Sequence, residues 1–228
     1  MMFSTKPSRR ETLWGGIYLI LYLCVLPLAV PLAAVRLLPE LNTAQVNFIY
    51  FCINFAATAF IFRKYLFQTM QDALCVPFRT ILYAVFAFLG SILLGGMVGS
   101  FILRVYPEFM NVNDNAIGAM ILENRALMVI GSVLLAPITE ELLFRGLVFR
   151  GLYDRSPLAA YLISMVLFSV IHISGYVGHY DWKLLFFCFL QYLVPAYCLN
   201  YAYRYSGNLI APILMHMVTN LVALMAMR

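Results

Sequence analysis

The stretch Ala136-Pro-Ile-Thr-Glu-Glu-Leu-Leu-Phe-Arg-Gly146 places three charged side chains inside an apolar run that is long enough to cross a bilayer. The charged residues are Glu140, Glu141 and Arg145. Ionisable groups at membrane depth are costly, so they usually face a protein interior or a water-filled cavity and mark a functional site. This stretch therefore predicts a transmembrane helix that carries chemistry on a face turned away from lipid.

The same combination occurs in two further apolar segments of the chain. One of them contains His172, and the other contains His216 and Asn220. Three separate segments thus each contribute an acid, a base or an amide, and these are the kinds of group that activate water in enzymes. The pattern as a whole predicts an enzyme.

The composition of the whole chain is that of a membrane protein. Of its 228 residues, 64% are hydrophobic and 11% are charged, whereas a soluble domain has roughly 25% charged residues. The net charge of +5 can collect in cytoplasmic loops, and no basic run interleaved with aromatic residues indicates a nucleic-acid partner. The five cysteines are odd in number and form no CxxC pair, so neither a disulfide framework nor a thiolate zinc site is predicted.

The apolar runs predict the fold class, an all-α polytopic bundle of about seven transmembrane helices in a single domain over residues 1–228. Each run is close to the roughly 20 residues that a bilayer requires, and an eighth span or a half-span is the alternative to seven. Residues 65–78 have a helical apolar spacing that suits a short interfacial helix, and the polar residues 106–124 predict an external loop. The predicted spans lie near 14–35, 46–62, 80–103, 127–150, 158–174, 184–203 and 207–226.

The basic residues predict the orientation of the bundle. With the N-terminus inside, ten of the fifteen Lys and Arg residues fall on the cytoplasmic side. Cytoplasmic loops of membrane proteins carry such an excess of positive charge. We therefore predict an integral membrane protein with a cytoplasmic N-terminus and, for seven spans, an external C-terminus.

The spacing within residues 136–146 assigns different partners to the three charged side chains. Glu141 and Arg145 are four residues apart, so they can pair across one helical turn. Glu140 is rotated by about 100° from Glu141, which leaves a desolvated carboxylate that is suited to proton transfer. Pro137 removes one helix hydrogen bond just upstream and can kink the helix. The alternative is a plain buried ion pair with a spare carboxylate.

The two other polar segments also have four-residue spacings. Phe168 can form one wall beside the imidazole of His172, and His216 can lie next to Asn220 so that both donate to a developing oxyanion. The alternatives are a core histidine with satisfied hydrogen bonds and an interhelical hydrogen-bond pair. At about 1.5 Å of rise per residue, all these side chains lie at similar depths, so they are compatible with one shared cavity.

These three segments resemble the motifs of a known family. EELLFR (140–145), FSVIH (168–172) and HMVTN (216–220) are similar, in this order, to EExxxR, FxxxH and HxxxN of the CPBP family, the CAAX prenyl proteases and bacteriocin-processing proteins, also called Abi. The resemblance covers about residues 130–225, which would form the catalytic core, and every motif position matches. It implies an intramembrane endopeptidase of a bacterial cell membrane.

The family's roles can be carried over to the matching positions. The resemblance implies that Glu140 and His172 activate the attacking water and that His216 and Asn220 stabilise the oxyanion. Glu141 and Arg145 would brace the site. No cofactor is expected on this reading, and the substrate would be a membrane-tethered peptide or protein, such as a leader peptide or a bacteriocin precursor.

Three other interpretations stay open at the level of the sequence. Glu140, His172 and His216 could together bind a catalytic zinc ion, since a His₂Glu set is one of its known ligand sets. A non-proteolytic bacteriocin-immunity or membrane regulatory role is known among similar proteins. A small transporter would also place polar groups at mid-membrane, although the chain shows no internal repeat of the kind that transporters have. The sequence predicts no oligomeric state.

Overall fold

The computed structural model describes residue 3 and residues 5–227, and in this part of the chain the regular structure is entirely helical. When segments that continue directly into one another are taken as one helix, the described residues form eight helices. They are α1 (Arg9–Leu37), α2 (Thr43–Ile61), α3 (Arg63–Cys75), α4 (Pro77–Val105), α5 (Val112–Tyr153), α6 (Pro157–Tyr176), α7 (Trp182–Ser206) and α8 (Ile210–Ala226).

The predicted all-α polytopic fold is confirmed. Helices α1, α2, α4, α5, α6 and α7 are each long and apolar enough to cross a membrane, and α8 is a shorter apolar helix of 17 residues. Each of these seven helices overlaps one of the seven predicted spans. The protein is therefore an integral membrane protein built as a helix bundle.

Local sequence signals explain where several helices begin and end. Ser8 and Glu11 form a capping box at the start of α1, and Asn42 and Gln45 form another at the start of α2. In each box the side chain and backbone of two residues satisfy amide groups that would otherwise lack partners. Gly207, with φ of +82°, ends α7 in a left-handed conformation that favours glycine and allows the short turn into α8.

The predicted external loop at residues 106–124 is wrong for most of its length. Helix α5 begins at Val112, because the side chain of Asn111 accepts hydrogen bonds from the amides of Asn113 and Asp114. The helix is interrupted at Asn124, whose φ of −158° and ψ of 91° are not helical. The polar residues that indicated a loop therefore serve to cap the helix and to bind its neighbours.

The predicted interfacial helix is present as α3. One face of it buries Tyr65 and Thr69 against the bundle, whereas Phe67 and Leu74 on another face are exposed. An apolar exposed face suits a helix that lies in the membrane interface. Its position relative to a bilayer stays a prediction.

The second half of α5 lies at the centre of the bundle. Leu142, Phe144, Arg145 and Phe149 are fully enclosed, whereas α1 and α4 have most of their surface open to the surroundings. Helices α6, α7 and α8 pack around this part of α5. The charged residues Glu140, Glu141 and Arg145 in this part of α5 therefore face protein, as their cost in lipid requires.

Candidate active site

Helix α5 departs from α-helical geometry on both sides of Pro137. Residues Ile130–Leu135 and Glu141–Phe149 are π-helical, a geometry that is common at functional sites. In a π-helix the carbonyl of Ser132 would accept from the amide of residue 137, but proline has no amide hydrogen. That carbonyl instead accepts from Nδ2 of Asn220 at 2.8 Å. The irregular backbone of α5 thus provides a hydrogen-bond acceptor for Asn220 of the third motif.

The three motifs meet at the carboxylate of Glu140. Its Oε2 atom lies 4.0 Å from Nε2 of His172 and 3.9 Å from Nε2 of His216. Glu140 and His216 are buried, and Oε2 makes no hydrogen bond among the described residues. Helices α5, α6 and α8 thus each bring one titratable side chain to the same place.

Glu141 forms the ion pair that the sequence predicts and a further contact. Its Oε1 atom accepts from Nη1 of Arg145 at 3.0 Å and also lies 2.9 Å from Nδ1 of His216. Both partners of the ion pair are completely buried. An ionised carboxylate can only accept hydrogen bonds, so Glu141 can accept from Nδ1 of His216 when that nitrogen carries the proton.

Arg145 is held by two helices besides its own turn. Its Nε donates to Oδ1 of Asn200 at 3.1 Å, and its Nη2 donates to the carbonyl of Ala196 at 3.1 Å. The guanidinium lies 4.6 Å from the ring centre of Phe168, a cation–π contact. Sequence reasoning missed Asn200, although a buried amide within an apolar helix is the same kind of signal that singled out Asn220.

His172 is oriented by its own helix and by α7. Its Nδ1 lies 2.7 Å from the carbonyl oxygen of Phe168, and the predicted wall is present, with ring centres 4.6 Å apart. On the α7 side, the ring of Tyr192 stacks on the imidazole at 4.4 Å, and the Tyr192 hydroxyl donates to Asp114 at 3.0 Å. Sequence reasoning missed Tyr192 and Asp114, because no spacing connects either of them to His172.

The first helix also reaches the site. The buried hydroxyl of Tyr22 donates to Oε1 of Glu140 at 3.5 Å. Tyr22 lies in the short π-helical segment Leu21–Val25 of α1. Sequence reasoning missed it, since a single tyrosine among many aromatic residues carries no distinguishing signal.

His216 and Asn220 lie on the same helix, as predicted, but they bind different partners. His216 faces Glu140 and Glu141, whereas Asn220 donates to the backbone of Ser132. No hydrogen bond joins the two side chains within the described part of the chain. An amide has a second N–H beyond the one that Ser132 accepts, so Asn220 can still donate to a substrate.

The predicted zinc ligands have suitable chemistry but a wide spacing. Zinc ligands lie about 2.0–2.1 Å from the ion, so two ligand atoms of a tetrahedron are roughly 3.4 Å apart. The distances from Glu140 Oε2 to the two histidine nitrogens are 3.9 and 4.0 Å. Among the described residues, no group of three or more His, Cys, Asp or Glu side chains forms a metal-binding cluster. Zinc binding by Glu140, His172 and His216 would require the side chains to move closer together.

The fold and the three motifs are similar to those of one class of protein, the multi-helix membrane proteases. Residues 122–222 match the family described as "Type II CAAX prenyl endopeptidase Rce1-like". The match includes all three motifs, so the predicted resemblance to the CPBP family is confirmed. At the level of the family, the chain is similar to membrane peptidases.

A curated relative agrees with this family. The chain is 27% identical over 142 residues to the Bacillus subtilis (strain 168) protein described as "Putative membrane peptidase YdiL". The matched part is 62% of this chain, and the chain spans about half of that relative's length (54%). No solved structure is matched at a significant level.

Proposed function

We propose that this protein is an intramembrane endopeptidase that hydrolyses a peptide bond of a membrane-tethered peptide or protein. The observation that carries the proposal is the convergence of Glu140, His172 and His216 from three helices, with nitrogen–oxygen distances of 3.9 and 4.0 Å. Polar atoms at this separation are too far apart for a direct hydrogen bond but suit a bridging water molecule. The proposed nucleophile is that water.

The hydrogen bond of His172 supports an assignment of its tautomer. A backbone carbonyl can only accept, so the contact between Nδ1 and the Phe168 oxygen requires the proton on Nδ1. Neutral His172 then presents the lone pair of Nε2 to the site. Glu140 Oε2 is an acceptor as well, so a water molecule can donate to both and keep its own lone pairs free for attack. In the proposed mechanism Glu140 removes the proton as general base.

His216 acts in this proposal as a hydrogen-bond donor and not as an acceptor. Its Nδ1 lies 2.9 Å from Oε1 of Glu141, which can accept the Nδ1 proton. With Glu140 and His172 both acting as acceptors, an N–H on Nε2 of His216 would be the donor that an oxyanion needs. Arg145 holds Glu141 in place and thereby positions His216.

Cleavage assays with and without a zinc chelator test the proposal and its main alternatives. The purified full-length chain would be incubated with a library of membrane-tethered peptides in proteoliposomes. We expect cleavage that a strong zinc chelator does not reduce. Loss of cleavage with chelator, and its recovery with added zinc, would replace the water mechanism by the zinc alternative. If no peptide of the library is cleaved, and no protein is cleaved when the chain is added to membranes of its own host, the result would favour the immunity or regulatory role.

The proposed location is a bacterial cell membrane, with the N-terminus in the cytoplasm. The excess of basic residues on one side of the predicted spans supports this orientation. Single cysteines placed at Ser8 and at Asn42, in a variant without the native cysteines, would report it. We expect a membrane-impermeant maleimide to label the residue-42 cysteine in intact cells and to leave the residue-8 cysteine unlabelled, whereas the reverse pattern would invert the orientation.

We expect Asn220→Ala to lower kcat by about 10²–10³-fold, the usual effect of removing one oxyanion donor. KM should change little, because the oxyanion forms only in the transition state. Thr219→Ala is the matched control, since the hydroxyl of Thr219 bonds only to the backbone of its own helix at Met215. A lower unfolding temperature with unchanged kcat would show that Asn220 is only an interhelical link to Ser132.

We expect Tyr22→Phe to lower kcat about tenfold while leaving KM unchanged. A lost hydrogen bond to a charged group costs on the order of 1.5–3 kcal/mol, and this long contact of 3.5 Å corresponds to the low end of that range. Tyr22 acts in this proposal as a positioning residue for Glu140. Tyr18→Phe is the control: its hydroxyl, on the same face of α1, donates to Asn54 at 2.8 Å and not to the site. Equal losses of activity in both variants would mean that the tyrosines only secure α1.

A further inference from the structure

A basic groove lies away from the catalytic residues, between the start of α1 and the junction of α2 and α3. It encloses a cavity of about 600 Å³ and is lined by three exposed cations, Arg10, Arg63 and Lys64, and by the aromatic rings of Trp14 and Phe60. The cations come from two different parts of the chain. Folding therefore brings together a positive cluster that no single sequence run contains.

Glu11, the acidic residue in the lining, forms no ion pair with these cations among the described residues. The carboxylate of Glu11 is buried and accepts hydrogen bonds from the backbone and hydroxyl of Ser8 and from the amide of Tyr65, at 2.7–2.9 Å. Arg63 makes contacts that leave its charge available, to the carbonyl and ring of Phe60. The described residues show no ion pair from Arg10, Arg63 or Lys64 to an acid within 4 Å.

Apart from Ser8, the rest of the lining is apolar, and it continues onto the outer surface of a membrane helix. Trp14 is 51% exposed, and Leu13 and Ile17 beside it on α1 are also open to the surroundings. Aromatic residues of this kind gather where membrane helices meet the headgroup region. The groove thus combines positive charge with an apolar path along α1.

We propose that this groove binds an anionic phospholipid. The phosphate and headgroup would lie against Arg10, Arg63 and Lys64, and an acyl chain would run past Trp14 along α1. Basic pockets between transmembrane helices recognise anionic headgroups in this way. The apolar part of the lining distinguishes this occupant from a free phosphate ion, which has nothing to place there.

The position of the groove gives the lipid a structural effect. Helix α1 packs closely against the α2–α3 junction at Gly15, where an added Cβ would collide with the ring of Phe62. One turn on, Tyr18 bonds to Asn54 of α2. A lipid that binds cations of α1 and of the α2–α3 junction together adds a third link between them. Anionic lipid should therefore stabilise the folded protein, because a ligand of the native state raises its stability.

Lipid binding and unfolding of the full-length chain test this proposal without any substrate, so the result is independent of proteolysis. The detergent-purified protein would be titrated with phosphatidylglycerol, with phosphatidylcholine of the same acyl chains and with inorganic phosphate. Bound lipid would be counted by native mass spectrometry, and the unfolding temperature measured in parallel. We expect one tightly held phosphatidylglycerol and a raised unfolding temperature with that lipid alone.

The double variant Arg63→Gln/Lys64→Gln should weaken phosphatidylglycerol binding about thirtyfold, since each basic residue near anionic lipid contributes about fivefold. Arg36→Gln/Arg125→Gln removes two exposed charges elsewhere and should bind like the wild type. Equal binding of phosphatidylcholine would overturn the proposal, and so would equal stabilisation by inorganic phosphate. Equal weakening in both double variants would show that only general surface charge attracts the lipid.

Discussion

We expect Glu140→Gln to lower kcat by about 10⁴-fold, the upper range for loss of a general base, which leaves almost no cleavage. Glutamine has nearly the same shape as glutamate but cannot take a proton from water. Glu140 Oε2 makes no hydrogen bond among the described residues, and Oε1 has only the 3.5 Å contact with Tyr22. The replacement therefore removes the base without breaking a hydrogen bond shorter than 3.5 Å, and the unfolding temperature should stay close to that of the wild type.

Glu108→Gln is the control for this experiment, because it makes the same chemical change at an exposed residue outside the site. It should cleave at the wild-type rate. Wild-type cleavage by Glu140→Gln would contradict the role of Glu140 as base. If the variant instead kept a cellular phenotype while losing all cleavage, the physiological role would be regulatory rather than proteolytic.

The transmembrane helices were predictable because a span of the bilayer requires roughly 20 consecutive apolar residues. The start of α5 was not, since residues such as Asn111 and Asp114 favour loops in a sequence but here cap a helix and bind Tyr192. Side-chain capping of this kind depends on the backbone path. Polarity alone therefore does not separate a loop from a capped helix in this region.

The motif residues were predictable from helical spacing, although the helix itself is not regular. The pairing of Glu141 with Arg145 assumes one α-helical turn, and the structure has a π-helix from Glu141 to Phe149. The pair still forms at 3.0 Å, because both side chains are long enough to absorb the change in twist. The π-helical segments themselves have no spacing signal in the sequence.

Residues that support the motifs from other helices were the part that sequence reasoning missed. Tyr22, Tyr192 and Asn200 each contact a motif residue across a long sequence separation. Such contacts follow from the packing of helices and not from periodicity along one helix. The predicted catalytic core at residues 130–225 stays a prediction, and the contact of Tyr22 with Glu140 suggests that α1 belongs to the working unit as well.

The alternative of a plain buried ion pair accounts for two of the three charges of α5. Glu141 and Arg145 form that pair. Glu140 makes no hydrogen-bonded ion pair of this kind among the described residues. Its nearest ionisable neighbours are the hydroxyl of Tyr22, 3.5 Å from Oε1, and the two histidine nitrogens, 3.9 and 4.0 Å from Oε2. A buried carboxylate without an obligatory partner is costly. Its persistence at this place favours a catalytic role over a structural one.

Arg145→Ala should reduce the stability of the folded protein by about 3–5 kcal/mol, the usual effect of breaking a buried ion pair. The variant leaves Glu141 charged in an enclosed site and removes hydrogen bonds to Asn200 and the backbone of Ala196. For a chain of this size the unfolding temperature should fall by roughly 10 °C, as measured by thermal unfolding in detergent. Arg155→Ala, at an exposed position, should leave it unchanged.

A double variant distinguishes the effect of the Glu141–Arg145 ion pair from the effect of the volume and other contacts of the Arg145 side chain. Glu141→Leu/Arg145→Met removes both charges, so no carboxylate is stranded, and apolar replacements of similar size often restore stability. We expect it to recover part of the loss seen in Arg145→Ala while remaining inactive, because His216 loses the acceptor of its Nδ1 proton. Recovery of activity together with stability would show that Glu141 only neutralises Arg145. A double variant no more stable than Arg145→Ala would mean that the contacts to Asn200 and Ala196, and not the ion pair, hold this part of the bundle together.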